Sequence, residues 1–494
     1  MENKKEFGKI RSIIFPIYTS ELRKFIPLTS IFFIISFNYS ILRSLKDMFL
    51  LRNTGAEVIY YLKVFGVMPS IILMTIIYSR ISKRVSRDAR FNIVIAYFLV
   101  FFGITYFFLI PNLESLRLDN LADSLEQSMP KLLGLWEGIR YWPLSLLYIN
   151  AEAWGTLALS VLFWTFVNEI TPTQQAKRFY SFLSLGASVG LMIAGAMLKH
   201  FKDNFNALLG FVFLFMAALV VIYNIFAQDI RKNPALYQVE QKAKKKKVKT
   251  SFLESIRFLA KSRYLALIAI LVLSYNMFIS LFESIWKAEI KELLKATGDQ
   301  TISAMVYGDQ GIYSGIVTIL LTLFFSAPIM NRGWRFAASF TPVVALVCTM
   351  AFFVFLYFQD SLGAITSMFN STPIKMAVMV GLFNVVFIKS AKYILFDPTK
   401  ERAYIPLDEE SKVRGKAAVD GVGSRLGKSL GSLILTMILV PFLGEGLIVN
   451  VRYHVFFIII AILIGWLVAI GKLSVRYNQL SEEHEKQERE GKEA

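Results

Sequence analysis

One cysteine and three histidines are all that 494 residues provide. The lone Cys348 excludes a disulfide framework, a Cys-rich zinc site and an iron–sulfur cluster. His200, His454 and His484 stand too far apart for metal-ligand spacing, so no metal and no cofactor is expected. Charge is scarce as well, at 18% of residues, and acid is scarcer than base: 36 Asp+Glu against 54 Lys+Arg, a formal +18. That is too little polar surface to clothe the several soluble domains a chain of this length would form. A soluble enzyme, a nucleic-acid-binding domain and a disordered scaffold are therefore excluded as the main reading.

What the chain has instead is apolar length. Hydrophobic residues make up 55%, Phe alone accounts for 43, and the mean hydropathy is +0.52. The fold class expected is an all-α polytopic membrane protein. A window of roughly 19 residues gives about twelve spans, near 26–51, 60–79, 91–111, 141–169, 179–199, 207–227, 264–293, 303–330, 335–358, 373–396, 416–443 and 453–471. Each is long enough to cross about 30 Å as a helix. With the N-terminus inside, the cytoplasmic segments carry 36 Lys+Arg and the outer segments 11, with seven more inside spans. The positive-inside rule then places both termini in the cytoplasm. The first 25 residues mix acids with bases and show neither a cleavable signal nor transit-peptide character, so a bacterial inner membrane is the plainest location.

The densest basic run, 242–249 (KAKKKKVK), falls after span six and reads as a solvated linker near anionic lipid. It divides the chain into a six-helix half at 1–228, a linker at 229–263, a second six-helix half at 264–472 and a charged tail at 473–494. A weak internal echo supports the division. Ser36-Phe37-Asn38 in span one is followed by Lys46, and Ser274-Tyr275-Asn276 in span seven by Glu283. Linker and echo together favour a major-facilitator-like architecture with the substrate site between the halves. Gly186 and Gly190 in span five, and Gly423, Gly427 and Gly431 in span eleven, recur every four residues and allow close helix contact.

Ionisable groups inside a bilayer are costly unless they face a cavity or a partner. Arg43 and Lys46 share a face of span one, where Asp47 is placed to pair with Arg43. Glu152 sits near mid-membrane in span four. Glu283 and Lys287 form an i, i+4 pair in span seven, and Lys389 and Lys392 share a face of span ten. Span eleven carries Lys416, Asp420, Ser424 and Lys428 along one stripe, with Arg425 a turn from Lys428. Each has a bland reading. Lys46, Lys389 and Lys392 could snorkel to an interface, and Glu283 could be spent on Lys287. The sum is more informative, because deep cations outnumber deep acids. A low-dielectric cavity with surplus positive charge attracts a strongly anionic substrate, and phosphate chains fit. Tyr39, Trp154, Trp164 and Tyr393 lie in the same stretches and are candidates to stack a planar base. The charge run at 397–416, with Asp397, Lys400, Glu401, Arg402 and, just beyond it, Asp420, is a candidate gate.

One motif fails. The stretch 421–429 (GVGSRLGKS) approaches a phosphate-binding loop, but Val422 stands where the pattern needs glycine, and the context is a membrane helix. No nucleotide hydrolysis is expected. A membrane-embedded enzyme would need a nucleophile–base pair or a metal cluster in the spans, and neither is seen. Charges at staggered depths also argue against a channel ring.

The segments NYSILRSLKD (38–47), AEAWGTLALSVLFWTFVNEIT (151–171), AKRFYSFLSLGA (176–187), FESIWK (282–287) and KSAKYILFDPTKERAYIPLDEESKVRGKAAVDGVGSRLGKS (389–429) resemble the ATP/ADP translocase family of obligate intracellular bacteria and plastids. The resemblance runs over nearly the whole chain. It implies twelve helices, a facilitator-like architecture, and either exchange of host ATP for ADP with phosphate or proton-driven nucleotide import. It places the family's functional charges on Lys46, Glu152, Glu283 and Lys428. Two stretches depart from the family pattern: Ser280-Leu281-Phe282-Glu283, where many exchangers read Asn-Leu-Val-Glu, and Gly427-Lys428-Ser429-Leu430-Gly431, where Gly-Lys-Ser-Gly-Gly is usual. The expected partners are small nucleotides and membrane lipid, with no nucleic acid, and the expected state is a monomer.

Overall fold

The computed structural model describes residues 17–82, 84–233, 262–407, 415, 416, 419 and 424–493. The basic linker and Asp420 lie outside the described residues, as do the side chains of Tyr393, Arg425 and Lys428. Within them the chain is helical throughout. The long helices are α1 (Leu22–Asn53), α2 (Val58–Ser82), α3 (Arg87–Leu109), α4 (Trp142–Ile170), α5 (Thr173–His200) and α6 (Phe205–Lys232). After the linker come α7 (Arg263–Thr297), α8 (Ile302–Phe325), α9 (Trp334–Tyr357) and α10 (Pro373–Ala403). They are followed by α11 (Ser424–Leu433, continuing as a π-helix over Ile434–Leu443) and α12 (Arg452–Glu493). Ten helices among the described residues are long and apolar enough to cross a bilayer, and α5 and α11 coincide with the two remaining expected spans.

The helices begin and end where local chemistry dictates. Ser262 caps α7 by accepting from the Leu265 N–H, and Asn204 caps α6 in the same way. α7 ends at Gly298, whose φ of 69° is a left-handed cap that a β-carbon would resist. Ile72, Leu73 and Ile76 of α2, Val221 and Ile225 of α6, and Ile464 and Val468 of α12 point outward, as a lipid-facing belt requires.

The packing repeats. α1 contacts α4, α5 and α6, and α7 contacts α10, α11 and α12. Contacts between α3 and α6 are matched by contacts between α9 and α12. The glycine ladders repeat too. A β-carbon at Gly190 would lie 3.3 Å from the Phe33 carbonyl of α1. One at Gly427 would lie 3.0 Å from the Leu273 carbonyl of α7. The two groups of helices meet mainly where α5 crosses α8, and there a β-carbon at Gly311 would lie 3.0 Å from Gly195 Cα. Small residues let backbones touch in this way.

Candidate functional site

At the centre of the bundle α1 places Arg43, Lys46 and Asp47 within little more than one turn. Lys46 is buried, its side chain 3% exposed. Its ammonium donates to Asp47 Oδ1 at 2.9 Å, lies 3.0 Å from Glu152 Oε1 of α4 and stands 3.8 Å above the Tyr148 ring. The snorkelling expected as an alternative for Lys46 does not occur, because α1 continues through Asn53 and keeps this turn inside. Tyr148 lies four residues before Glu152, so one face of α4 supplies both a carboxylate and an aromatic ring to the same cation.

Asp47 and Glu283 also pair between helices. Asp47 Oδ2 accepts from Lys287 Nζ of α7 at 2.7 Å. Glu283 accepts from Arg43 at 3.2 Å and also ion-pairs with Lys389 of α10. The i, i+4 pairings expected for Arg43 with Asp47 and for Glu283 with Lys287 are therefore replaced. α1 and α7 face each other across the cavity here, and each of these carboxylates reaches a cation on the other helix. Arg43, Asp47, Glu283, Lys287 and Lys389 line a small space, joined by Trp286 and Tyr307. Its enclosed room is only about 10 Å³, about enough for one water, so a larger ligand requires the helices to part.

Other expected site residues fall elsewhere or differ in role. Asn38 is fully buried, and neither polar atom of its amide has a partner among the described residues. Lys392 reaches Asp397 at 3.2 Å instead of sharing the cavity with Lys389. Trp154 is fully buried, donates to the Ile35 carbonyl at 3.1 Å and packs edge-on against Phe98. It packs α4 on α1 and is not available to stack a base; Trp164 likewise packs against Phe32. The candidate gate does form ion pairs: Lys416 with Glu401 at 2.5 Å, and Lys400 with Glu401 at 3.6 Å and with Asp397 at 3.9 Å. Arg402 donates to the Met330 carbonyl at 3.4 Å.

Tyr148, Tyr307 and Lys63 join the cluster without having been marked by the sequence. Spacing from Glu152 could have found the first. Nothing in the local pattern marks the other two. The sequence likewise left unmarked the π-helical turns beside the charges. These cover Leu62–Val67 around Lys63, Gly155–Phe163 just after Glu152, and Lys392–Phe396 just after Lys389. Such turns widen a helix locally and are frequent at functional sites.

Several hydrogen bonds and ion pairs among the described residues join α1–α6 to α7–α12. Besides the Arg43–Glu283 and Lys287–Asp47 contacts, Tyr60 donates to the Ser284 carbonyl at 2.8 Å, Lys199 pairs with Asp309 at 2.6 Å, and Lys291 donates to the Leu51 carbonyl. The Lys199–Asp309 and Lys291–Leu51 contacts lie toward the end of the bundle where α1, α5 and α7 terminate.

An all-helical membrane bundle with a charged central cavity and a repeated packing scheme defines a transporter of major-facilitator-like fold. Solved structures share that fold. A nucleoside transporter aligns with a TM-score of 0.54 at 12% identity, covering 92% of this chain and 99% of that one. A POT family transporter bound to a thioalcohol-conjugated peptide also aligns with 0.54, at 14% identity, covering 90% and 96%. The sequence identifies the family. Residues 1–477 match the model of the TLC ATP/ADP transporter, and the chain belongs to that family. Among its relatives, ADP,ATP carrier protein 1 of Chlamydia muridarum is 36% identical over 95% of this chain and 91% of the relative. ADP,ATP carrier protein 1 of Rickettsia prowazekii is 34% identical over 97% and 98%. The chloroplastic ADP,ATP carrier protein 1 of Arabidopsis thaliana is 35% identical over 96% and 77%. The protein is a multi-pass membrane transporter and not an enzyme.

Proposed function

We propose that the chain carries ATP inward across a bacterial inner membrane in exchange for ADP, with phosphate, by alternating access of the halves 1–228 and 264–472 to either side. The observation that carries this reading is the ion-pair cluster itself. Arg43, Lys46, Lys287 and Lys389, from three helices, share the carboxylates of Asp47, Glu152 and Glu283. Such a cluster holds an anion by trading carboxylate partners for phosphate oxygens. Charge-assisted hydrogen bonds to those oxygens are short and strong. Lys428, on α11, is assigned to the same phosphate chain from the opposite half. The likeness to carriers named for ADP and ATP supports the substrate class. The charge distribution supports cytoplasmic termini, which makes the end bearing Lys199–Asp309 the outer, sealed side. The transporter acts as a monomer.

The test is uptake of labelled ATP into proteoliposomes, with and without internal ADP, and with and without a pH gradient. Exchange predicts uptake that requires internal nucleotide. Uptake into empty liposomes driven by the pH gradient would instead show proton-coupled import, with Glu152 or Glu283 as the carrier.

A further inference from the structure

Lys63 stands apart from the other cations of the central cluster. Arg43, Lys46, Lys287 and Lys389 each hold a carboxylate. Lys63 lies within electrostatic reach of Glu152 and Glu283, yet among the described residues no carboxylate is at ion-pair distance from it. Its ammonium rests instead 5.4 Å from the centre of the Tyr60 ring. Tyr60 is itself fixed, fully buried and bonded to the Ser284 carbonyl of α7. Lys63 therefore has a defined position, half-buried, without an acid to hold it. It is also the fifth cation around three carboxylates, which leaves the cluster with a surplus of positive charge.

Two features of the backbone point the same way. Lys63 lies in the π-helical turn Leu62–Val67, a distortion found often at functional sites. That turn packs against Ser424–Leu433 of α11, the segment that carries Lys428. A group that seats an anion at this junction touches both sets of helices.

We propose that Lys63 binds the phosphate chain of the transported nucleotide directly, as its first protein contact. This rests on the nucleotide-transport reading above. Phosphate oxygens reach Lys63 without displacing a carboxylate, whereas every other cation of the described cluster must first give one up. Lys63 then anchors the ligand while Lys46 exchanges Glu152 for phosphate.

The experiment measures ATP–ADP exchange in proteoliposomes for the wild type, Lys63→Gln and Lys63→Arg, with tripolyphosphate as a competitor that has a phosphate chain but no base. Lys63→Gln should raise the KM for ATP about tenfold, as expected for one lost charged contact of modest size, with a smaller change in kcat. Tripolyphosphate should lose inhibitory strength in parallel. Lys63→Arg should keep most of the wild-type KM. A third variant, Lys63→Cys in a Cys348→Ala background, guards against misfolding: attaching a positively charged aminoethyl group should lower KM again, and a negatively charged sulfonatoethyl group should not. An unchanged KM in Lys63→Gln overturns the assignment, as does equal impairment in Lys63→Arg or equal response to both reagents. If the wild type takes up no nucleotide at all, the transport reading fails. If it exchanges normally and Lys63→Gln matches it, only the role of Lys63 fails.

Discussion

Lys46 Nζ lies 3.0 Å from Glu152 Oε1, a contact that ties α1 to α4 at the depth where an unpaired charge would be most costly. In the same geometry Asp47 holds Lys46 from the other side. Lys46 thus has two acids, and giving up one still leaves it paired. In the proposed exchange, Glu152, whose side chain is 35% exposed, is then the partner that a phosphate would displace.

Glu152→Gln should therefore separate binding from turnover. Removing the competing carboxylate frees Lys46 for phosphate, so ATP affinity should stay equal or rise, by about 1 kcal/mol if one charged contact is no longer contested. Exchange should slow at least tenfold, because the emptied site has lost the group that reclaims Lys46. Calorimetry for affinity and proteoliposome exchange for rate check this. Weaker ATP binding in Glu152→Gln would contradict it.

Asp47 joins the Lys46 and Lys287 ammoniums, and its side chain is 3% exposed. Asp47→Ala leaves two buried cations short of a partner, which costs roughly 3–5 kcal/mol when a buried pair is broken. A bound polyanion supplies the missing charge. The variant should melt well below the wild type, and ATP should raise its Tm more than it raises the wild type's. Thermal unfolding in detergent with and without ATP measures both effects. Equal ATP-induced shifts in the two proteins would show that the ligand does not reach this pair.

The Lys199–Asp309 contact and the Gly195–Gly311 crossing join α5 to α8 at the sealed end. If that end opens in each cycle, fixing it must stop transport. Lys199→Cys with Asp309→Cys, in a Cys348→Ala background, should exchange nucleotide when reduced, lose nearly all activity when oxidised, and recover on reduction. Full activity in the oxidised, cross-linked protein would mean that α5 and α8 do not separate.

The basic linker is expected on the same side as both termini, because moving it outside would invert the charge rule. A cysteine at Ser251 should react with an impermeant reagent in inverted vesicles and not in intact cells. Labelling in intact cells reverses the assigned orientation.

The spans were legible because long apolar runs have few alternative fates. Lys46, Glu152 and Glu283 were legible because a charge in such a run needs a reason. Their partners were not. The pairing rules that a sequence supplies run along one helix, whereas Asp47 bonds to Lys287 and Glu283 to Arg43 across two. Lys63 escaped notice because a lysine near the start of a span is ordinarily read as snorkelling. The π-helical turn that sets its position leaves no trace in hydrophobic periodicity. Trp154 shows the opposite error: an aromatic in the right stretch is consumed by packing, its indole bonded to the Ile35 carbonyl.

Isothermal calorimetry of ATP and adenosine binding to purified wild type, Lys46→Ala and Lys428→Ala tests the phosphate site most directly. The wild type should bind ATP far more tightly than adenosine. Each variant should lose roughly 2–5 kcal/mol toward ATP, the range for truncating one member of a buried charge contact, and little toward adenosine. Folded variants that bind ATP with wild-type affinity would make the two lysines structural and contradict the account.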